Sequence, residues 1–179
     1  MKTFLLFAIP FLLMACTTSA AISSPEKSAP SESEASSTPH GEDSEFHPFN
    51  EDQNDRAKVD EAIINAAATG KKALIVMGAN WCHDSKALAT QFEKPRFQTL
   101  IQSSYILEYI DVGQKNKNQK IARRFGLDGT PGTPTVMIID GTGKLLNPKD
   151  APTWRNAASR SEDEIYSYFE DYATTEPNP

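Results

Sequence analysis

The sequence predicts an α/β domain from residue 55 onward, built on a mixed β-sheet of about four strands with helices on both faces. Three observations carry that prediction. Ala73-Leu74-Ile75-Val76-Met77 is a continuous apolar run of strand length, the pattern of a strand buried on both sides. Segments with helical periodicity alternate with such runs, which implies crossover connections within one sheet. The stretch from residue 55 to 179 is also a normal size for a single domain.

Each element has its own signature. Asp55 to Thr69 places Val59, Ala62, Ile63, Ala66 and Ala67 at helical spacing and stops at Gly70, an amphipathic helix with a C-terminal glycine. The run 73–77 is the first strand. Gly78-Ala79-Asn80 turns the chain, and a helix from about Cys82 to Glu93 puts Leu88 and Phe92 on one face. Pro95 suits the first turn of the next helix, which carries Phe97, Leu100 and Ile101 inward. Tyr105 to Val112 alternates and is β-rich, a second strand. Asn118 to Phe125 is a helix closed by Gly126. Thr135 to Ile139 is a third strand, which Asp140-Gly141-Thr142-Gly143 turns into a short fourth, Lys144 to Leu146. Trp154 reads as a tryptophan packed at an edge of the domain, in preference to the alternative of Trp154-Arg155-Asn156 as a partner surface. The last helix, Glu162 to Tyr172, has Ser161 as N-cap and Glu164 at its third position, a capping box. Its inward stripe is Ile165, Tyr168, Phe169 and Tyr172.

The N-terminal part has a different character. Met1-Lys2-Thr3 followed by the apolar residues 4–13 is too short to span a bilayer, which takes roughly 20 apolar residues, and fits a secretory signal over residues 1–15. Its end, Leu13-Met14-Ala15-Cys16, resembles the lipobox of bacterial lipoproteins. That resemblance implies cleavage before Cys16 and a lipid on its sulfur, so this cysteine is removed from redox chemistry. Thr17 in place of an inner-membrane retention aspartate favours the outer membrane of a Gram-negative cell. Residues 16–54 are rich in Ser, Pro, Glu and Ala, too poor in large apolar residues to offset the entropy of ordering. They read as a disordered tether, with His40 and His47 as solvated linker histidines.

The formal net charge of −6 arises in the tether. Residues 17–54 hold eight acids against one lysine, whereas residues 55–179 hold sixteen acids and sixteen bases. The domain is neutral, which gives nucleic-acid binding no electrostatic support.

Chemistry concentrates in Trp81-Cys82-His83-Asp84-Ser85, at a strand-to-helix junction. A thiolate is the reactive form of cysteine, and the free amides and dipole of a helix N-terminus stabilise an anion. His83 favours the thiolate when protonated and Asp84 opposes it. The polar surroundings of Cys82 argue for an exposed sulfur. No further ligand accompanies Cys82 and His83, so neither a metal nor another cofactor is expected.

Three segments together resemble the thioredoxin superfamily over about residues 55–172. They are Trp81-Cys82-x-x-Ser85 after the first strand, Ile121-Ala122-Arg123-Arg124-Phe125-Gly126, and Thr133-Pro134-Thr135 opening the third strand. The resemblance implies that Pro134 is cis and faces Cys82, and that Trp81, Thr133 and Pro134 contact substrate, with the Thr133 backbone pairing with a substrate strand. Ser85 stands where the family's dithiol members have the resolving cysteine, and it retains a hydroxyl that can donate to the sulfur. Two departures matter. Val76 stands where they have a buried acid on the first strand, a loss consistent with the missing resolving thiol. The loop Asp128-Gly129-Thr130-Pro131-Gly132 before the proline is longer than the minimal family version, with Pro131 as a simple turn residue in the preferred reading and a reshaped substrate groove as the alternative. The iron–sulfur-holding monothiol glutaredoxins also keep one thiol, but their Cys-Gly-Phe-Ser signature is absent here.

A lone thiol can attack a disulfide and form a mixed disulfide, but it cannot release the product unaided. The expectation is a membrane-tethered, periplasm-facing protein of the cell envelope, acting by isomerase-type or glutathione-type exchange through Cys82 and Ser85. Its partners would be envelope proteins with cysteines or small thiols such as glutathione. The alternative is a non-catalytic thioredoxin-like module that binds a partner in the groove beside Pro134.

Overall fold

The computed structural model describes residues 46–50 and 55–175. The signal, Cys16 and the tether through residue 45 lie outside the described residues. The elements run α1 Asp55–Thr69, β1 Lys72–Gly78, α2 His83–Phe92, α3 Pro95–Ser104, β2 Tyr105–Asp111, α4 Gln119–Arg124, β3 Thr135–Ile139 and α5 Glu162–Thr174. Two short 3-10 turns, Ala151–Trp154 and Ala157–Ser159, lie between β3 and α5.

The sheet has the order β2-β1-β3, with β1 parallel to β2 and antiparallel to β3. Every residue of β1 is buried, which is why its sequence is a continuous apolar run and not an alternation. Its side chains still alternate between the two faces. Leu74 and Val76 join Val136 and Ile138 in a core with Leu88 and Phe92 of α2, Phe97 of α3 and Phe169 of α5. Ala73, Ile75 and Met77 join Met137 and Ile139 in the opposite core with Val59, Ala62 and Ala66 of α1 and Ile121 of α4. Trp154 is fully buried in the first core, stacked on Phe169 at 5.1 Å, as a packed tryptophan should be. The capping box of α5 forms as expected: the Glu164 amide donates to Ser161 Oγ, and the Ser161 amide to Glu164 Oε2.

A fourth strand does not develop. Leu145 makes only a bridge to Ile139, and the Leu146 amide donates to the Ile138 carbonyl at 2.8 Å. The next positions along the β3 edge are then filled by a side chain. The Ile138 amide donates to Asn147 Oδ1 at 2.9 Å, and Asn147 Nδ2 donates to the Val136 carbonyl at 2.9 Å. A carboxamide offers the same donor and acceptor as a peptide unit, so Asn147 satisfies the edge of β3 while the main chain departs towards Trp154.

The domain also reaches further towards the N-terminus than a tether through residue 54 allows. Phe49 is 1% exposed and packs edge-on against Tyr109, with ring centroids 5.4 Å apart. Its backbone is clamped by Asn80, whose Oδ1 accepts from the Phe49 amide at 3.1 Å and whose Nδ2 donates to the Phe49 carbonyl at 2.7 Å. One buried aromatic and a two-point amide clamp tie residues 46–50 to the turn that follows β1.

Candidate functional site

The site forms where β1 ends and α2 begins. Gly78 is the last residue of β1, and a Cβ there would lie 2.6 Å from both the Phe49 ring and Ser85 Oγ, so the approach of those two side chains requires glycine. The chain then turns through Ala79 and Asn80 to Cys82, whose amide donates to the Ala79 carbonyl at 3.0 Å. Cys82 has extended dihedrals and is the N-cap of α2. Its side chain makes no capping hydrogen bond, and the sulfur faces the loop that precedes β3 instead.

That loop ends in a cis bond between Thr133 and Pro134. Thr133 engages the sulfur twice. Its Oγ1 donates to Cys82 Sγ at 3.1 Å, and its carbonyl accepts from Sγ at 3.4 Å. The second bond uses the thiol proton; the first persists, charge-assisted, when the proton has left. The loop is braced from α4, where Gln119 Oε1 accepts from the Thr130 amide at 2.8 Å and Gln119 Nε2 donates to the Thr130 hydroxyl. Thr135 Oγ1 also donates to the Gly132 carbonyl at 2.8 Å.

The structure therefore brings Cys82 and Thr133 into contact, with Pro134 joined to Thr133 through the cis bond, and it places the other predicted residues in different ways. Trp81 is half exposed, with its indole N–H donating to the Gly113 carbonyl at 2.9 Å. His83 is exposed. Asp84 Oδ1 accepts from the Ala158 amide at 2.9 Å, which ties the first turn of α2 to the segment after Trp154.

Ser85 departs from expectation. It is fully buried and its hydroxyl has no hydrogen-bond partner among the described residues, because the side chain turns inward to the space above Gly78. The bond to sulfur expected of Ser85 comes from Thr133. Cys82 is also less open than its polar neighbours suggest, at 8% exposure, since the Thr133 loop lies over it. Val76 is buried in the apolar core, so no acid stands at that position.

Sequence reasoning missed a pair of buried carboxyls at the same edge of the sheet, where Asp111 is the register partner of Gly78. Asp55 is held above its ordinary range. Burial and the charge of Asp111 together outweigh the hydrogen bond from Asn118, which bridges Asp55 and the Asp111 carbonyl. Lys117 Nζ lies 3.4 Å from Asp111 Oδ2. These acids are not in one stretch with the cysteine: the register of β1 on β2 brings Asp111 to that edge, and Asn118 joins it to Asp55, the first residue of α1.

One thiol at a helix N-terminus, held against a Thr-cis-Pro loop on a three-stranded mixed sheet, gives the chain a thioredoxin-like fold. Residues 54–141 match the family model described as Thioredoxin-like. Among solved structures, the chain is similar to a disulphide isomerase from Xylella fastidiosa Temecula1. The identity is 28% over 70% of this chain and 95% of that one, with a TM-score of 0.63. It is also similar to a thioredoxin from Thermus thermophilus, at 19% identity over 64% of this chain and 83% of that one, TM-score 0.49. The C-terminal domain of Neisseria meningitidis DsbD gives 21% identity over 65% and 96%, TM-score 0.49. No curated protein matches the chain in sequence.

Proposed function

We propose that this protein exchanges thiols and disulfides through Cys82 alone, as an isomerase or by mixed-disulfide chemistry with small thiols, while tethered to a membrane of the cell envelope. The observation that carries the reading is Cys82 at the N-cap of α2 with its Sγ 3.1 Å from the Thr133 hydroxyl, which can donate to the sulfur both before and after the thiol proton leaves. The similarity to a solved disulphide isomerase supports the same chemistry.

The step balances without an outside oxidant. The Cys82 thiolate attacks one sulfur of a substrate disulfide, the S–S bond breaks, and the other sulfur leaves as a thiolate. Cys82 is then in a mixed disulfide. The chain has two cysteines, and the other, Cys16, is proposed to carry lipid, so no thiol of this site resolves the intermediate. A second thiol of the substrate can do so, giving a rearranged disulfide with no net redox change. A small thiol can do so as well.

The test is mass analysis after exposure to 2-hydroxyethyl disulfide, followed by reactivation of a scrambled disulfide protein. The expected result is a single adduct on Cys82 and a measurable rate of reactivation, both lost in Cys82→Ser. The 8% exposure of Cys82 favours a second reading, a binding module whose thiol stays covered. Partner binding that persists in Cys82→Ser, with no adduct on the wild type, would establish that reading instead.

The tether has its own experiment. Cys16→Ser is expected to shift the protein from the membrane fraction to the soluble periplasm or to block maturation. Unchanged processing and fractionation would refute lipidation at Cys16.

A further inference from the structure

The segment between Trp154 and α5 carries two arginines that the structure uses differently. Arg160 is committed to the fold: its guanidinium lies 4.1 Å over the Trp154 ring, donates to the Thr153 carbonyl at 3.1 Å and bonds Asn156 Oδ1 at 3.0 Å. Arg155 is not. Its guanidinium makes no ion pair, hydrogen bond or ring contact among the described residues, and the residue is exposed. Yet its stem is not loose. Arg155 Cβ and Cδ lie 3.2 and 3.3 Å from where a Cβ on Gly132 would be, so the side chain runs along the Thr-Pro loop over a glycine that leaves room for it. Gly132 directly precedes Thr133, the residue that touches Cys82 Sγ on two atoms.

The stem borders a cleft of about 470 Å³ lined by Pro131, Pro152, Thr153, Arg155 and Asn156. Among the described residues no carboxylate lines it. Of the nearby acids, Asp84 is turned to the Ala158 amide, and Asp150 accepts from the Tyr172 hydroxyl at 3.3 Å. Asp128, exposed in the same loop, is three residues before Pro131. The cleft thus has two prolines as walls and one uncommitted cation.

We propose that Arg155 makes this cleft select disulfides that carry a carboxylate a few bonds from the sulfur under attack, in a small molecule or in an acidic polypeptide. The inference rests on the exchange reading above and adds a substrate class to it. The reaction is unchanged: Cys82 forms a mixed disulfide with one half of the substrate and the other half leaves as a thiolate, while Arg155 holds the carboxylate by a charge-assisted pair. An exposed pair of this kind is worth roughly two- to fivefold in rate, and salt weakens it.

The experiment measures second-order rates of adduct formation on Cys82 with three disulfides: anionic 3,3′-dithiodipropionate, neutral 2-hydroxyethyl disulfide and cationic cystamine. Wild type, Arg155→Gln, Arg155→Glu and Arg155→Lys are compared. In Arg155→Gln the ratio of the anionic to the neutral rate is expected to fall about two- to fivefold. Arg155→Glu is expected to turn the preference towards cystamine, Arg155→Lys to keep most of the wild-type ratio, and the neutral rate to stay constant throughout. Taking each ratio relative to wild type cancels the intrinsic reactivity of the reagents. A pair of peptide disulfides with Glu or Gln beside the cysteine separates the two sources: the same loss with the Glu peptide assigns polypeptide substrates, and a loss confined to dithiodipropionate assigns small ones. An anionic-to-neutral ratio equal in wild type and Arg155→Gln, with the neutral reagent reacting normally, would overturn the role of Arg155 and leave the exchange reading intact. Failure of the neutral reagent to modify wild type would overturn both.

Discussion

Phe49→Ala is expected to lower the unfolding free energy by about 3–5 kcal/mol, the usual cost of truncating a buried phenylalanine. The ring lies in the core on the face of the sheet shared by Val76, Leu88 and Trp154, and it is 1% exposed. The cavity left behind would not close readily. Gly78 has no side chain to move into it, β1 is buried along its whole length, and the Asn80 clamp holds the Phe49 backbone in place. Total stabilities of single domains are about 5–15 kcal/mol, so the loss would be a large share. Urea unfolding is the measurement: a lower midpoint with an unchanged slope reports lost stability and not a changed unfolded state. Phe46→Ala is the control, since Phe46 is 41% exposed and its loss should stay within about 0.5 kcal/mol. A Phe49→Ala midpoint as close to wild type as that of Phe46→Ala would show that residues 46–50 are not anchored.

The same residue shows where sequence reading stops. Phe49 stands among Ser, Glu, Asp and His, with no periodic partners to declare a helix or strand, and its burial depends on a glycine and an asparagine some thirty residues later. The run 73–77 and the Ser161–Glu164 box were legible because local chemistry decides them: strand burial writes itself as an apolar run, and a capping box is complete within four residues. Cys82 at the start of α2 was legible for the same reason, and Thr133-Pro134 through its likeness to a known motif. The fourth strand was not, because the Lys144–Leu146 run is β-compatible by itself and only the tertiary position of Asn147 ends it. Spacing put Ser85 three residues after the cysteine; it could not tell that the hydroxyl turns away from the sulfur.

Ser85→Cys is expected to add dithiol reductase activity to the exchange proposed for Cys82, and the buried hydroxyl explains why the substitution is tolerated. Ser85 Oγ is enclosed without a partner, a situation that costs about 1–3 kcal/mol. A thiol at that position is easier to bury, since cysteine behaves as a small hydrophobe. The reduced variant should therefore be at least as stable as wild type, provided the larger sulfur fits between Gly78 and Phe49. Cys82 caps the helix on which residue 85 lies in the first turn, so a rotamer change at residue 85 together with a small backbone shift is needed to bring the two Cβ atoms to the roughly 3.5–4.5 Å that a disulfide takes. The mixed disulfide on Cys82 then has an internal thiol to release it. In a Cys16→Ser background, oxidised Ser85→Cys should show no free thiol and reduced protein two, and insulin reduction should proceed catalytically with dithiothreitol. The rate should remain well below that of a dithiol protein with a buried acid, because Val76 supplies no base and such assistance is typically worth about 10²–10⁴-fold. Two thiols that persist in oxidising buffer, with reductase activity no higher than wild type, would mean that the inward packing of residue 85, and not the missing sulfur, makes this a one-thiol site.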